Sequence, residues 1–241
     1  PLVCGASQIV NDWSDQDVDA LNEPDRPIPS GRVPGKTAFW FAVVWTVIAQ
    51  TWAILLGPWV AAATGLGLAL AWAYSAPPLR LKMNGWWGNS AVAISYEGLA
   101  WITGAAIVIG GDLPAEPILL IALLYSIGAH GIMTLNDFKS VEGDLAMGIR
   151  SLPAQLGPTR AARVACLFML LPQLIVILLL VRWSLTPSAL AVSLMVVVQC
   201  LAMRKLLRDP KQFAPWYNAT GVSLYVLGMM AVAIGLGGWL A

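Results

Sequence analysis

Two short runs of acids and amides stand out as residues able to do chemistry. One is Asn11-Asp12-Trp13-Ser14-Asp15-Gln16-Asp17-Val18-Asp19; the other is Asn136-Asp137-Phe138-Lys139-Ser140-Val141-Glu142-Gly143-Asp144. Shifted by 125 residues, Asn11 meets Asn136, Asp12 meets Asp137 and Asp19 meets Asp144, while Asp15 meets Ser140. On a helix, positions i, i+3 and i+7 share a face. Asp12, Asp15 and Asp19 are therefore expected to project together, as are Asp137, Ser140 and Asp144, with Asp17 and Glu142 pointing elsewhere. Carboxylates crowded on one face repel each other unless a cation sits between them. Hard oxygen ligands beside an amide (Asn11, Asn136) suit Mg²⁺, which completes its shell with water and substrate phosphates. The pair of runs thus reads as a site for a diphosphate held by Mg²⁺, with Asp12, Asp15, Asp19, Asp137 and Asp144 as metal ligands. A diphosphate also needs cations to stabilise departing charge. Arg26, Arg80, Lys82, Lys139 and Arg150 qualify, Arg26 and Lys82 foremost because of their loop contexts.

The elements that must position these residues follow from composition. Of 241 residues, 58% are hydrophobic and 11% charged, too little charge for the surface of a soluble globule, where about 25% is usual. That excludes disorder, a disulfide-rich module and a basic nucleic-acid binder. Cys4, Cys166 and Cys200 lie in apolar stretches without a CxxC or Cys/His cluster, so they are read as small buried hydrophobes. Seven apolar segments, near 37–57, 58–75, 90–110, 117–137, 161–182, 188–206 and 217–240, approach the roughly 20 residues a transmembrane helix needs. Pro58, Pro117 and Pro187 sit at helix starts, and Pro172 is expected to kink its span. Tryptophans near the span ends form an aromatic belt. Thirteen of the 14 Lys and Arg residues fall in the loops of one side and only Arg182 on the other. By the positive-inside rule the first side, which also carries both acidic runs, is cytoplasmic. The chain starts at Pro1 with an apolar run too short to span, which reads as the end of a helix whose beginning lies upstream.

At this point the residues resemble a known family. Asn11-Asp12-x-x-Asp15-x-x-x-Asp19, followed by Arg26-Pro27-Ile28-Pro29-Ser30-Gly31, is similar to the first signature of the UbiA-type membrane prenyltransferases. Tyr74-Ser75-Ala76-Pro77-Pro78-Leu79-Arg80-Leu81-Lys82 resembles their central loop. Asn136 to Asp144, with Arg150-Ser151-Leu152-Pro153, resembles the second signature as found in the chlorophyll synthase branch. Tyr125-Ser126-Ile127-Gly128-Ala129-His130-Gly131, Arg208-Asp209-Pro210 and Ala214-Pro215-Trp216-Tyr217-Asn218 bring it nearest to the bacteriochlorophyll synthases. The resemblance runs over essentially the whole chain. It departs at Ser140, where the wider family has an acid, and at Leu145, where the branch usually has Arg.

The resemblance implies an all-α, polytopic transmembrane helical bundle forming one domain over 1–241. It has two pseudo-repeated halves, about 1–110 and 117–241, with about eight of the family's nine helices represented. It implies transfer of a C20 prenyl group, geranylgeranyl or phytyl, from its diphosphate to the propionate carboxylate of bacteriochlorophyllide in a bacterial inner membrane. The implied cofactor is Mg²⁺ and the partners are the prenyl diphosphate, the pigment acceptor and the lipid bilayer, with no nucleic acid. Arg26, Arg80, Lys82, Lys139 and Tyr74 would bind diphosphate. Glu97 and His130, polar residues within apolar spans, are candidates for the acceptor pocket. A chlorophyll synthase, a prenyltransferase acting on a quinone precursor or haem, and an inverted-repeat transporter are the competing readings.

Overall fold

The computed structural model describes residues 2–239. In chain order its helices are α1 (Leu2–Ser14), α2 (Gln16–Asn22), α3 (Gly35–Leu56), α4 (Pro58–Ser75), α5 (Gly85–Ala93), α6 (Leu99–Val108), α7 (Glu116–Asn136), α8 (Val141–Ala146), α9 (Leu152–Leu156), α10 (Pro158–Arg182), α11 (Thr186–Leu206) and α12 (Pro210–Leu236). A π-helical turn, Ile94–Gly98, joins α5 to α6. Among the described residues no strand forms beyond an isolated bridge between Asn84 and Arg150.

Helices stand at all seven expected spans, and six are long and apolar enough to cross a membrane. The exception is α4, whose 18 residues are diluted by Trp59, Thr64, Trp72, Tyr74 and two glycines. The last helix starts at Pro210 rather than near 217, because Asp209 caps it by accepting from the Gln212 N–H at 3.2 Å. Its expected end at residue 240 lies outside the described residues. Of the cysteines only Cys166 is buried; Cys200 is half-buried and Cys4 is exposed.

Packing divides the chain into two compact units, residues 2–82 with 106–113, and 83–105 with 114–239. The division differs from halves at 1–110 and 117–241, because α5 and most of α6 pack with the later helices. In the first unit α1, α3 and α4 pack through small residues: Ala6, Ala42, Ala49 and Ala53 are buried at 3% exposure or less. Lipid offers apolar side chains as good a surface as protein does, so close backbone approach is what drives such packing. Gly57 and Gly111 show the same logic at the α3–α4 turn. Both have positive φ, and a Cβ on Gly57 would lie 2.4 Å from the Gly111 Cα. Trp13, Phe39 and Trp72 form a ring cluster below the first acidic run, with centroids 5.0–6.1 Å apart.

In the second unit α7 is the buried axis. Ile121, Tyr125, Ala129 and Leu135 are almost fully enclosed by α10 and α12 residues such as Ala165, Met169 and Tyr225. Gly131 lets α10 approach, since a Cβ there would lie 2.4 Å from the Ala165 carbonyl. Pro172 sits inside α10, which runs on through it. There the Gln173 side chain donates to the Met169 carbonyl and exchanges two amide hydrogen bonds with Gln199 of α11, at 3.1 and 3.2 Å.

Candidate active site

The first acidic run straddles a break. α1 ends at Ser14, Asp15 leaves helical geometry (φ −103, ψ 10), and α2 resumes at Gln16. The Asp15 N–H still donates to the Asn11 carbonyl and the Asp19 N–H to that of Asp15, so the helical spacing survives although the helix does not. Asp12 and Asp19 converge as expected. One guanidinium nitrogen of Arg26 reaches Asp19 at 2.9 Å and Asp12 at 3.5 Å, while its Nε pairs with Glu23. Asp15 takes different partners. The Lys82 ammonium donates to both of its oxygens, Arg80 approaches at 3.4 Å, and Asn11 donates at 3.1 Å. Asn11 is itself steered by Ser75, at 3.2 Å. Arg80 adopts a left-handed backbone (φ 39), a strained state for a side-chain-bearing residue that tends to persist where a site over-determines it. Burial pushes the Asp12 carboxyl above its ordinary range; Arg26 opposes the shift, and Asp19, Asp15 and Glu23 add to it. A cavity of about 290 Å³ opens beside Asp12, Asp19 and Arg26, walled by Ile9, Ile28 and Phe41.

The second run is also broken. Asp137 ends α7, a 3₁₀ turn covers Asp137–Lys139, and α8 carries Asp144. Asn89 of α5 donates to Asp137 at 3.1 Å and lies 3.4 Å from Thr134, whose hydroxyl donates to the His130 carbonyl. The Leu152 N–H also serves Asp137. Ser140 donates to Asp144, at 3.1 Å, and to the Asp137 carbonyl, at 3.2 Å. Asn218 of α12 donates to Asn136 at 2.6 Å. A parallel bridge anchors this corner: the Gly85 N–H donates to the Arg150 carbonyl and the Arg150 N–H to that of Met83. Among the described residues neither Asp137 nor Asp144 makes an ion pair; of the five that form, four hold acids of the first run and the fifth joins Arg26 to Glu23.

Of the expected diphosphate-binding residues, Arg26, Arg80 and Lys82 gather on the first acids. Lys139 instead points to the exterior, and Tyr74 is half-buried next to Ser75. Asp17 and Glu142 are exposed, as their spacing requires. Glu97 sits half-buried in the π-helical turn, a local widening often found at functional sites. His130 is 4% exposed, stacked on Phe168 (centroids 4.6 Å apart) and near Trp86 (5.7 Å). Neither imidazole nitrogen makes a hydrogen bond of good geometry, although the Trp86 backbone is close. Asn89, Ser75, Glu23 and Asn218 were not singled out by sequence. Ser75 and Asn218 lie within the motif stretches that carry the resemblance, and Asn89 is an amide at the edge of an apolar span, which the structure draws inside it by starting the helix at Gly85.

These donors fit magnesium by their chemistry. Mg²⁺ takes one or two carboxylates and leaves the rest of its shell to water and phosphate. Asp12 and Asp19 offer such a pair, close enough to share one guanidinium nitrogen; Asp137 and Asp144 offer another, with Ser140 tying the Asp144 carboxylate to the Asp137 backbone carbonyl. Among the described residues no three acids, histidines or cysteines converge, so neither unit builds a closed all-protein cage.

Comparison with known proteins gives a consistent picture. The sequence signature of the UbiA prenyltransferase family matches residues 2–227. The chain is 54% identical to the bacteriochlorophyll synthase 33 kDa chain of Cereibacter sphaeroides, covering 99% of this chain and 78% of that one. It is 50% identical to the protein of the same name from Rhodobacter capsulatus, covering 99% and 79%. Among solved structures, a UbiA homolog from Archaeoglobus fulgidus bound to GPP and Mg²⁺ superposes with a TM-score of 0.71 at 17% identity, covering 96% of this chain and 84% of that one.

Proposed function

The chain belongs to the UbiA prenyltransferase family, and from that premise we propose that it transfers a C20 prenyl group, geranylgeranyl or phytyl, from its diphosphate to the propionate carboxylate of bacteriochlorophyllide. The observation that carries this reading lies in the first unit. Asp12, Asp19 and Arg26 line an apolar-walled cavity, and Asp15 with Lys82 and Arg80 forms a second charged group in the same unit, which suits an amphiphile with an anionic head and a hydrocarbon tail. The relatives named bacteriochlorophyll synthase support the choice of acceptor.

In the proposed reaction the bond between the prenyl C1 and the diphosphate oxygen breaks. A bond from the acceptor carboxylate oxygen to C1 forms, and diphosphate leaves with its charge neutralised. Asp12, Asp15 and Asp19 in the one unit, and Asp137 and Asp144 in the other, would hold Mg²⁺, which when bound supplies Lewis-acid stabilisation of the departing diphosphate. Arg26, Lys82 and Arg80 contribute fixed positive charge, with bidentate geometry available to the arginines. Asn11 and Asn136 orient the acids. The acceptor carboxylate is already ionised near neutral pH, so no general base is required. Apolar walls exclude the water that would otherwise capture the prenyl cation. Lys139 and Tyr74 serve the diphosphate from the periphery. His130 and Glu97, the ionisable residues within their spans, belong to the acceptor pocket in this reading. The protein acts as one domain in the bacterial inner membrane with both acidic runs on the cytoplasmic side, a sidedness supported by the partition of its cations.

The test incubates membranes containing the full chain with Mg²⁺, geranylgeranyl or phytyl diphosphate, and bacteriochlorophyllide or chlorophyllide. Transfer of bacteriochlorophyll colour into an apolar solvent, abolished by EDTA, is expected. Esterification of chlorophyllide alone would refute the acceptor assignment, and absence of diphosphate release with either pigment would refute the reaction.

A further inference from the structure

The two acidic runs hold their charge in different ways, and a metal must meet that difference. In the first unit every acid of the motif already has a cationic partner. Arg26 bridges Asp12 and Asp19 and is gripped by Glu23 as well, and Lys82 covers both oxygens of Asp15 with Arg80 alongside. The Lys82–Asp15 pair is largely enclosed, at 13% and 20% side-chain exposure, so water cannot readily replace either partner. In the second unit Asp137 and Asp144 are held by an amide, a hydroxyl and a backbone N–H, and Asn89 and Ser140 each engage only Oδ2 of their acid. Neutral donors orient a carboxylate without cancelling its charge, the usual role of groups behind a metal ligand.

We propose that the two sets load metal in a fixed order: Asp137 and Asp144 take a divalent cation unaided, whereas Asp12, Asp15 and Asp19 take one only when a diphosphate is present to receive Arg26 and Lys82. A metal ion approaching the first set alone must strip cations from carboxylates and leave them unpaired. A diphosphate removes that obstacle, because its oxygens accept the guanidinium and ammonium donors in charge-assisted bonds. Substrate and metal therefore arrive together at the first set, and Arg26 and Lys82 exchange one anion for another. This inference rests on the magnesium reading above and adds the sequence of binding to it.

The experiment counts Mn²⁺ bound to the purified full chain in lipid nanodiscs by electron paramagnetic resonance, with and without inorganic pyrophosphate. Without pyrophosphate the chain should bind a single Mn²⁺, lost in Asp137→Asn and kept in Asp12→Asn. Pyrophosphate should add a second, lost in Asp12→Asn. Arg26→Gln should bind the second Mn²⁺ without pyrophosphate, with affinity raised about tenfold, the scale expected when a partly exposed ion pair to two carboxylates is removed. Arg26→Lys should restore dependence on pyrophosphate, which separates loss of charge from misfolding. Equal loading of two ions without pyrophosphate would overturn the order, as would loss of the unaided site in Asp12→Asn rather than Asp137→Asn. Either result leaves the magnesium reading intact. Absence of bound Mn²⁺ in every state would overturn both.

Discussion

Asp12, Asp15 and Asp19 sit among Arg26, Arg80 and Lys82, whereas Asp137 and Asp144 sit among Asn89, Ser140 and a backbone donor. The two runs are near-repeats in sequence, yet their surroundings solve the cost of gathering carboxylates in opposite ways. Resident cations make the first set stable without any ligand and slow to accept one. Neutral donors orient the second set and leave it without a counter-ion. The position matching Asp15 shows the same division within the motif. Asp15 needs Lys82, while Ser140 in its place carries no charge and instead ties Asp144 to the turn.

The contrast can be broken by experiment. The largest effect is expected from Asp137→Ala, which removes an acid with no neighbouring cation to compensate. Esterification should fall by at least about a hundredfold, and Asp12→Ala should lose nearly as much. Wild-type rates in either variant at saturating Mg²⁺ would end the assignment. Asn89→Ala should cost about ten- to a hundredfold in metal affinity or rate, the range seen for groups that orient a metal ligand. Its effect should appear as weaker Mn²⁺ binding without pyrophosphate, which separates it from a change confined to the first unit. Lys82→Met should raise KM for the prenyl diphosphate by about tenfold, and Arg80→Met by less, because the Arg80 contact is longer and more exposed. Initial rates at varied diphosphate would rank them, and the reverse order would show that Arg80 carries the anion. The smallest effect concerns stability alone. Gln173→Leu strands the buried Gln199 amide and should cost about 1 kcal/mol in thermal unfolding. Adding Gln199→Leu should recover most of it, and pyrophosphate-dependent loading should be unchanged in both.

Much of this was legible in the chain itself. Apolar runs of helical length locate the helices to within a few residues, because lipid leaves the backbone no other way to satisfy its hydrogen bonds. The repeated Asn-Asp spacing picks out the acids, and the i, i+7 relation correctly puts Asp12 beside Asp19. Helix ends were less legible: α12 begins at a cap rather than where hydropathy rises.

Spacing could not say which counter-ion each acid receives. That choice depends on side chains far away in sequence, 67 residues for Lys82 with Asp15 and 48 for Asn89 with Asp137. It also depends on how the chain turns between them. Arg80 reaches Asp15 from a left-handed backbone, and Asn89 reaches Asp137 because α5 packs along α7, anchored by the Asn84–Arg150 bridge. Local sequence thus determined the membrane-crossing helices and the acids, since hydropathy and helical period act over a few turns. Tertiary structure alone decided which set is paired with cations and which is held by neutral donors, because electrostatic pairing follows distance in space.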